Sequence, residues 1–251
     1  MKIDQILDIA RMAGEKILEI YNDEKLSKVV DHKADDSPLT LADKASNDVI
    51  ISRLINLDTG FPILSEEETH AGYEERKNWD TFWLVDPLDG TKEFINRNGE
   101  FTVNIALIKN GKPSLGVIYV PVTDVMYWGD SQGAFIKRGD DPIESLKVNY
   151  SKVSRIAVRS KSHASEEEDV VLKKYNVTNS ISVGSSLKFC MVAEGKADVY
   201  YRHGPTMEWD IGAGQAILEA AGGNVFIETS DKPFVYNKEN LLNGSFLCLG
   251  F

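Results

Sequence analysis

Residues 83–94 read WLVDPLDGTKEF. An apolar run, Trp83-Leu84-Val85, halts at Asp86, and a second acid, Asp89, follows ahead of Gly90 and Thr91. The run reads as a buried strand that stops at Asp86, so that its carboxylate points into a cleft. Pro87 stiffens the turn, Asp89 returns a second carboxylate to the same side, and Gly90 permits a backbone geometry that side chains resist. Thr91 then caps a short helix, KEFIN, whose free N–H groups suit a phosphate. Two carboxylates beside a phosphate repel each other and the ligand. A divalent cation removes that conflict, and Mg²⁺ favours oxygen ligands that include substrate phosphate.

Outward from this stretch the periodicity changes twice. Ile3, Ile6, Leu7, Ala10, Ala13, Ile17 and Ile20 recur at helical spacing, so residues 3–22 form an amphipathic helix. Thr40, with Asp43 three residues on, opens a second helix in a capping pattern. Its expected buried stripe is Leu41, Ala45, Val49, Ile50 and Leu54. FPILSE and TFWLVD read as strands that each end on an acid. FTVNIALIK, GVIYVP, VMYWG and GAFIKR follow as an antiparallel meander, with Asn110-Gly111 as a hairpin turn. Beyond about residue 150 the pattern turns α/β, and the run ASEEEDVVLKKY reads as a surface helix with a solvated acidic face. SSLKFCMVAEG and WDIGAGQAILEAAGG are further helices, the latter ending at a Gly-Gly cap.

Gross properties bound the possibilities. A chain of 251 residues with 42% hydrophobic content suits one large globular unit or two joined lobes. Its net charge of −11 argues against a nucleic-acid polymer as partner. Cys190 and Cys248 sit in apolar surroundings and read as buried, reduced thiols. The N-terminus mixes charges into every turn, unlike a signal peptide. No uncharged apolar run approaches the ~18 residues of a membrane span, so a cytoplasmic protein is expected, at most peripheral at the inner membrane face. None of the four histidines stands in a triad-like setting.

More acids punctuate the chain: Glu66, Glu67 and Glu68 at a strand end, Asp210 in a Trp-Asp pair opening a helix, and Asp43 after SPLTLA. In the order SPLTLAD, LSEEE, DPLDGT, WDIGAG, the chain resembles the inositol monophosphatase-like, lithium-sensitive phosphatase superfamily over nearly its whole length. The resemblance implies an α/β layered sandwich of the inositol monophosphatase/fructose-1,6-bisphosphatase type. An N-terminal α+β half, residues 1–150, would carry a large antiparallel sheet and the metal site. A smaller α/β half, residues 151–251, would bind substrate. It implies two Mg²⁺, with a weaker third. Glu67, Asp86, Asp89 and the Leu88 carbonyl would hold one, and Asp86, Asp89 and Asp210 a second. Asp43 and Thr91 would orient the attacking water. Glu67 is preferred as the second acid of the family's Glu-Glu pair, although the three-acid run leaves Glu66 open.

Within the superfamily the chain looks most like the 3′(2′),5′-bisphosphate nucleotidases, through KADDSPLTLAD, VRSKSH and GSSLKFCMVAEGKADVYYRHGPTMEWD. That likeness places Ser185, Ser186, Lys188 and Arg202 at the sugar and second phosphate, His163 near the nucleotide, and Gly90 and Thr91 at the scissile phosphate. A bisphosphorylated ligand needs a cationic subsite, and Arg forks suit phosphate oxygens. Inositol monophosphatases place a hydroxyl-binding glutamate shortly before the WD motif. Here the stretch reads YYRHGPT, which favours 3′-phosphoadenosine 5′-phosphate, cleaved to AMP, over inositol phosphate. Inositol or sugar phosphates on the same machinery are the alternative substrates, and a catalytically idle metal- or nucleotide-binding regulator is the non-enzymatic alternative. A haloacid-dehalogenase site fits poorly, because its aspartates are two residues apart and here the spacing is three with a proline between. The expected partner is a small phosphorylated nucleotide, bound by a monomer or homodimer.

Overall fold

A computed structural model describes residues 2–32, 38–150, 154–160 and 166–251. In chain order, helix α1 (Ile3–Tyr21) precedes strands β1 (Val30–His32) and β2 (Pro38–Thr40), helix α2 (Leu41–Ile55), strand β3 (Ile63–Ser65) and helix α3 (Tyr73–Arg76). Next come β4 (Thr81–Asp89), α4 (Thr91–Ile95), β5 (Thr102–Lys109), β6 (Lys112–Val120), β7 (Val125–Asp130), β8 (Gly133–Arg138) and β9 (Glu144–Leu146). The second half holds β10 (Arg155–Ser160), α5 (Glu166–Lys174), β11 (Val177–Val183), α6 (Leu187–Ala193), β12 (Val199–Arg202), β13 (Thr206–Met207), α7 (Glu208–Ala220), β14 (Asn224–Ile227), β15 (Leu242–Asn243) and β16 (Phe246–Leu249).

Strands β3 to β9 form a seven-stranded sheet in sequence order, antiparallel except for the parallel β3–β4 pair. A five-stranded sheet runs β11-β10-β12-β16-β14. Period-two alternation assigns the faces. Trp83 and Val85 of β4 join the core under α1 and α2, whereas Phe82 and Leu84 face the layer of α6 and α7. In the small sheet, Tyr200 and Phe246 face that same helical layer, whereas Val199 and Leu247 pack with Val171 and Leu172 of α5. The result is an α/β layered sandwich: helices, large sheet, helices, small sheet, helix. The central layer is tight because β6 carries a glycine at the crossing. A Cβ on Gly116 would stand 2.3 Å from the Ala213 carbonyl oxygen of α7.

Helix α7 ends as its Gly-Gly signature predicts. Gly222 adopts φ +97°, the Gly223 N–H donates to Leu218 O and the Gly222 N–H to Glu219 O. The two cysteines are buried and free, and burial pushes both thiols up. The acidic face of α5 is not wholly solvated: buried Glu168 accepts from Arg159 of β10 at 2.8 and 3.0 Å. The expected boundary near residue 150 adjoins 151–153, outside the described residues, and the largest apolar cluster runs from Leu64 to Cys248 across both halves. No helix among the described residues is long and apolar enough to cross a membrane.

Candidate active site

Strand β4 does not stop at Asp86; it continues to Asp89 through a bulge. Asp86 pairs with Asn104 and Asp89 with Thr102, so Pro87 and Leu88 together oppose Val103 alone. In a regular strand, residues three apart face opposite ways. One extra residue restores the parity. Asp86 shares the face of Phe82 and Leu84, toward α7, and the bulge returns Asp89 to it. The bulge is fixed from inside: the Leu88 N–H donates to Asp86 Oδ1 (3.1 Å), and the Ser46 hydroxyl of α2 donates to Pro87 O (2.7 Å). The Leu88 side chain is buried in the core beneath α1 and α2.

The same parity decides the glutamate. Strand β3 pairs in parallel with β4, Ser65 opposite Val85, and the Glu66 N–H extends the ladder to Val85 O at 3.1 Å. Glu66 therefore follows Leu64 onto the α7 face, beside Asp86. The expected Glu67 is one residue on, in the turn after β3; the glutamate that the fold brings beside Asp86 and Asp210 is Glu66. Glu66, Asp86 and Asp210 bring carboxylate oxygens within 4.8 Å of one another. Asp210 is in the first turn of α7, where its Oδ2 accepts the Met207 N–H (2.8 Å).

The electrostatics of this cluster are unfavourable by themselves. Burial, then the charges of Glu66, Asp89 and Asp210, hold Asp86 well above the usual carboxylate range. Burial, Asp89 and Glu66 do the same to Asp210, against the Met207 N–H and Arg202. Asp89 is pushed up to about 6 by burial, with Lys188 and the Ser186 N–H opposing. These are oxygen donors only, gathered from three separate segments and desolvated. That donor set fits a hard divalent cation.

Asp43 and Thr91 meet at the start of helix α4. Asp43 is third in α2, and its Oδ2 accepts both the Thr40 N–H (2.7 Å) and the Thr40 hydroxyl (2.6 Å). Its Oδ1 accepts the Thr91 hydroxyl at 3.2 Å. Thr91 is thus the first helical residue rather than the cap expected of it; Gly90, at φ +92°, occupies the cap position and makes the turn.

A cleft of about 670 Å³ of empty space, partly open to solvent, adjoins the acids and is lined by Asp89, Gly90, Lys188, Arg202 and Asp210 among others. Ser185 adopts φ +46°, and its buried hydroxyl lacks a hydrogen-bond partner among the described residues, as does Arg202 Nε. Lys188 Nζ donates to Ser185 O (2.6 Å) and lies 3.4 Å from Val183 O. Burial lowers its pKa to about 8, Asp89 counters this, and Arg202 reinforces it. Ser186, expected to meet substrate, is among the residues lining the cleft, but its hydroxyl turns inward. Its hydroxyl donates to Asn104 Oδ1 (2.8 Å) and pairs with the Thr102 hydroxyl (2.8 Å). His163 lies outside the described residues.

Sequence reading missed several supporting groups. Thr102 and Asn104 stand on β5 directly opposite the two aspartates, and Asn104 Nδ2 lies 3.4 Å from Asp89 Oδ2. Two polar residues at i, i+2 inside the apolar run FTVNIALI were the available signal. Ser46 and Asn47 form a buried polar face of α2; Asn47 accepts from the Ser65 hydroxyl (2.7 Å) and donates to Glu68 (2.6 Å). An apolar-stripe reading has no means of finding them.

Comparison with known proteins identifies the family. The family model described as the inositol monophosphatase family matches residues 3–247. The 3′(2′),5′-bisphosphate nucleotidase CysQ of Escherichia coli (strain K12) is 46% identical over 245 residues, covering 97% of this chain and 98% of its own. A crystal structure of CysQ from Bacteroides thetaiotaomicron superimposes with a TM-score of 0.86 at 45% identity, over 98% of this chain and 96% of that one. An inositol monophosphatase from Thermotoga maritima, 20% identical, shares the fold with a TM-score of 0.80, over 99% of this chain and 91% of that one. With a family model that matches nearly the whole chain and relatives this similar, the chain belongs to the inositol monophosphatase family.

Proposed function

We propose that the chain is a Mg²⁺-dependent phosphatase that removes the 3′-phosphate of 3′-phosphoadenosine 5′-phosphate, giving AMP and phosphate. The observation that carries this reading is the juxtaposition of two opposite environments. Glu66, Asp86 and Asp210 converge within 4.8 Å, and Lys188, Arg202 Nε and the Ser185 hydroxyl line the adjoining cleft. The relatives named CysQ support the substrate.

Glu66, Asp86, Asp89, Asp210 and the Leu88 carbonyl would hold two Mg²⁺, and family likeness adds a weaker third. When bound, the ions supply a Lewis acid for the phosphoryl oxygens and a water acidic enough to attack. The chain does the rest. Asp43 fixes the Thr91 hydroxyl as a donor, so the lone pairs of that oxygen are left to accept a hydrogen bond from the attacking water, and as the water loses its proton to Thr91 the Thr91 proton passes to the Asp43 carboxylate. Gly90 keeps the turn open at the scissile group. Arg202, Lys188 and Ser185 hold the second phosphate, and Ser186 acts indirectly by fixing Asn104 behind Asp89. Attack is in line and direct, with no covalent intermediate, since no cysteine, serine or histidine nucleophile is required. Residues 1–150 thus supply most of the metal site and residues 151–251 most of the substrate site, with Asp210 contributed by the latter. The reading includes a cytoplasmic enzyme working as a monomer or homodimer; peripheral membrane attachment has no support.

Phosphate release from the bisphosphate nucleotide, inositol 1-phosphate and fructose 1,6-bisphosphate tests the reading. The nucleotide should give the highest kcat/KM. Excess chelator should abolish turnover, and Ca²⁺, with its larger and looser shell, should inhibit. Preference for inositol 1-phosphate would favour the monophosphatase alternative, and full activity in chelator would contradict the metal mechanism.

A further inference from the structure

Glu93 is a cleft group that phosphate recognition leaves unused. It is on α4, between the turn at Gly90 and the loop that leads into α6. A Cβ on Gly184 would come within 2.6 Å of its Cγ, and a Cβ on Gly90 would lie 3.3 Å from its Oε2. The carboxylate is thus wedged against two backbone turns at the cleft wall. Among the described residues no hydrogen bond or ion pair engages it. Its charge nevertheless reaches the site, raising Asp89 and Lys188 alike.

A carboxylate only accepts hydrogen bonds. In a cleft that Lys188 and Arg202 also line, an acceptor against the Gly90 turn has no use for a phosphate oxygen and repels it. What it suits is a donor on the ligand, close to the bond that breaks. A ribose phosphorylated at the 3′ or 2′ position always presents one such donor there, the free hydroxyl on the neighbouring carbon. The base and the 5′-phosphate lie farther off. We propose that Glu93 accepts that vicinal hydroxyl and selects phosphate esters that carry it. This rests on the nucleotidase reading above and deepens it.

The test compares kcat/KM for the 3′,5′-bisphosphate of adenosine and for its 2′-deoxy counterpart, in wild type, Glu93→Gln and Glu93→Ala. A charge-assisted hydrogen bond predicts a wild-type preference for the ribose form of roughly 10- to 150-fold. Glu93→Ala should bring the preference close to unity by loss on the ribose form alone. On the deoxy form both variants should match or exceed wild type, because the repulsion of the phosphates is relieved. Glu93→Gln keeps the shape and an acceptor without the charge, so its preference should be intermediate; it also keeps the test readable should Glu93→Ala not fold. Melting temperature and its shift with Mg²⁺ check that fold and metal site are intact. An undiminished preference in both variants, or equal losses on both substrates, overturns the inference. Wild-type inactivity on both nucleotides overturns the nucleotidase reading as well, a distinguishable outcome.

Discussion

Asp86→Asn is expected to lower kcat by on the order of 10³-fold or more while raising the melting temperature of the metal-free protein. Asp86 is the most crowded acid of the cluster: buried, facing Glu66, Asp89 and Asp210, and held well above the usual carboxylate range. Asn keeps the shape and removes the charge. Loss of a ligand charge costs several kcal/mol of the stabilisation that a bound cation gives the transition state, at about 1.4 kcal/mol per tenfold. The same removal relieves repulsion in the metal-free fold, worth roughly 2–4 °C for each kcal/mol gained. The sign of the pH dependence follows. Asp89, at about 6 in the fold, has its pKa raised above the unfolded value near 3.9, and Asp86 and Asp210 are raised in the same direction. Between those pKa values the folded state binds more protons than the unfolded, so stability falls as pH rises. The metal-free protein should therefore melt higher near pH 5 than near pH 7 as far as these groups are concerned, and the gain from added Mg²⁺ should grow with pH. Calorimetric scans of wild type and Asp86→Asn at both pH values read this directly. A variant less stable than wild type without metal would show that the acids are held by contacts stronger than their repulsion.

Arg202→Ala should cost the bisphosphate nucleotide about 10- to 150-fold in kcat/KM, the worth of a hydrogen bond to a charged group at 1.5–3 kcal/mol. The buried Nε has no partner among the described residues, so the substitution leaves no protein acceptor stranded there. Adenosine 3′-phosphate, which lacks the second phosphate, should lose far less. Equal losses on the two substrates would mean that Arg202 acts through the metal site, where its charge already bears on Asp210.

Much of this was legible in the sequence, and where it was not the reasons are physical. WLVDPLDGTKEF announced two carboxylates on one side of a cleft, and that is where β4 puts them, but through a bulge inside a continuing strand rather than at a strand end. A bulge leaves no periodic signature beyond the proline. The glutamate illustrates the same limit: likeness to a paired-acid motif points to Glu67, whereas strand parity brings Glu66 into the acid cluster. Leu64 facing the core fixes Glu66, not Glu67, on the site face. Glu168 read as solvated because its partner Arg159 is on another element and only the fold joins them. The buried polar face of α2, Asp43, Ser46 and Asn47, carries hydrogen bonds to β2, the bulge, β3 and Glu68. Such a face looks like an ordinary solvent side until the tertiary structure supplies its partners.

The central claim is that Glu66, the residue that follows β3, joins Asp86, Asp89 and Asp210 in the metal site. Titration calorimetry of Mg²⁺ into wild type, Glu66→Gln and Glu67→Gln tests it without relying on turnover. Glu66→Gln should weaken binding by at least the roughly 10- to 100-fold typical of losing even an outer-shell partner, and Glu67→Gln should leave the affinity near that of wild type. The reverse ranking, or Mg²⁺ binding indifferent to both substitutions, would contradict the account.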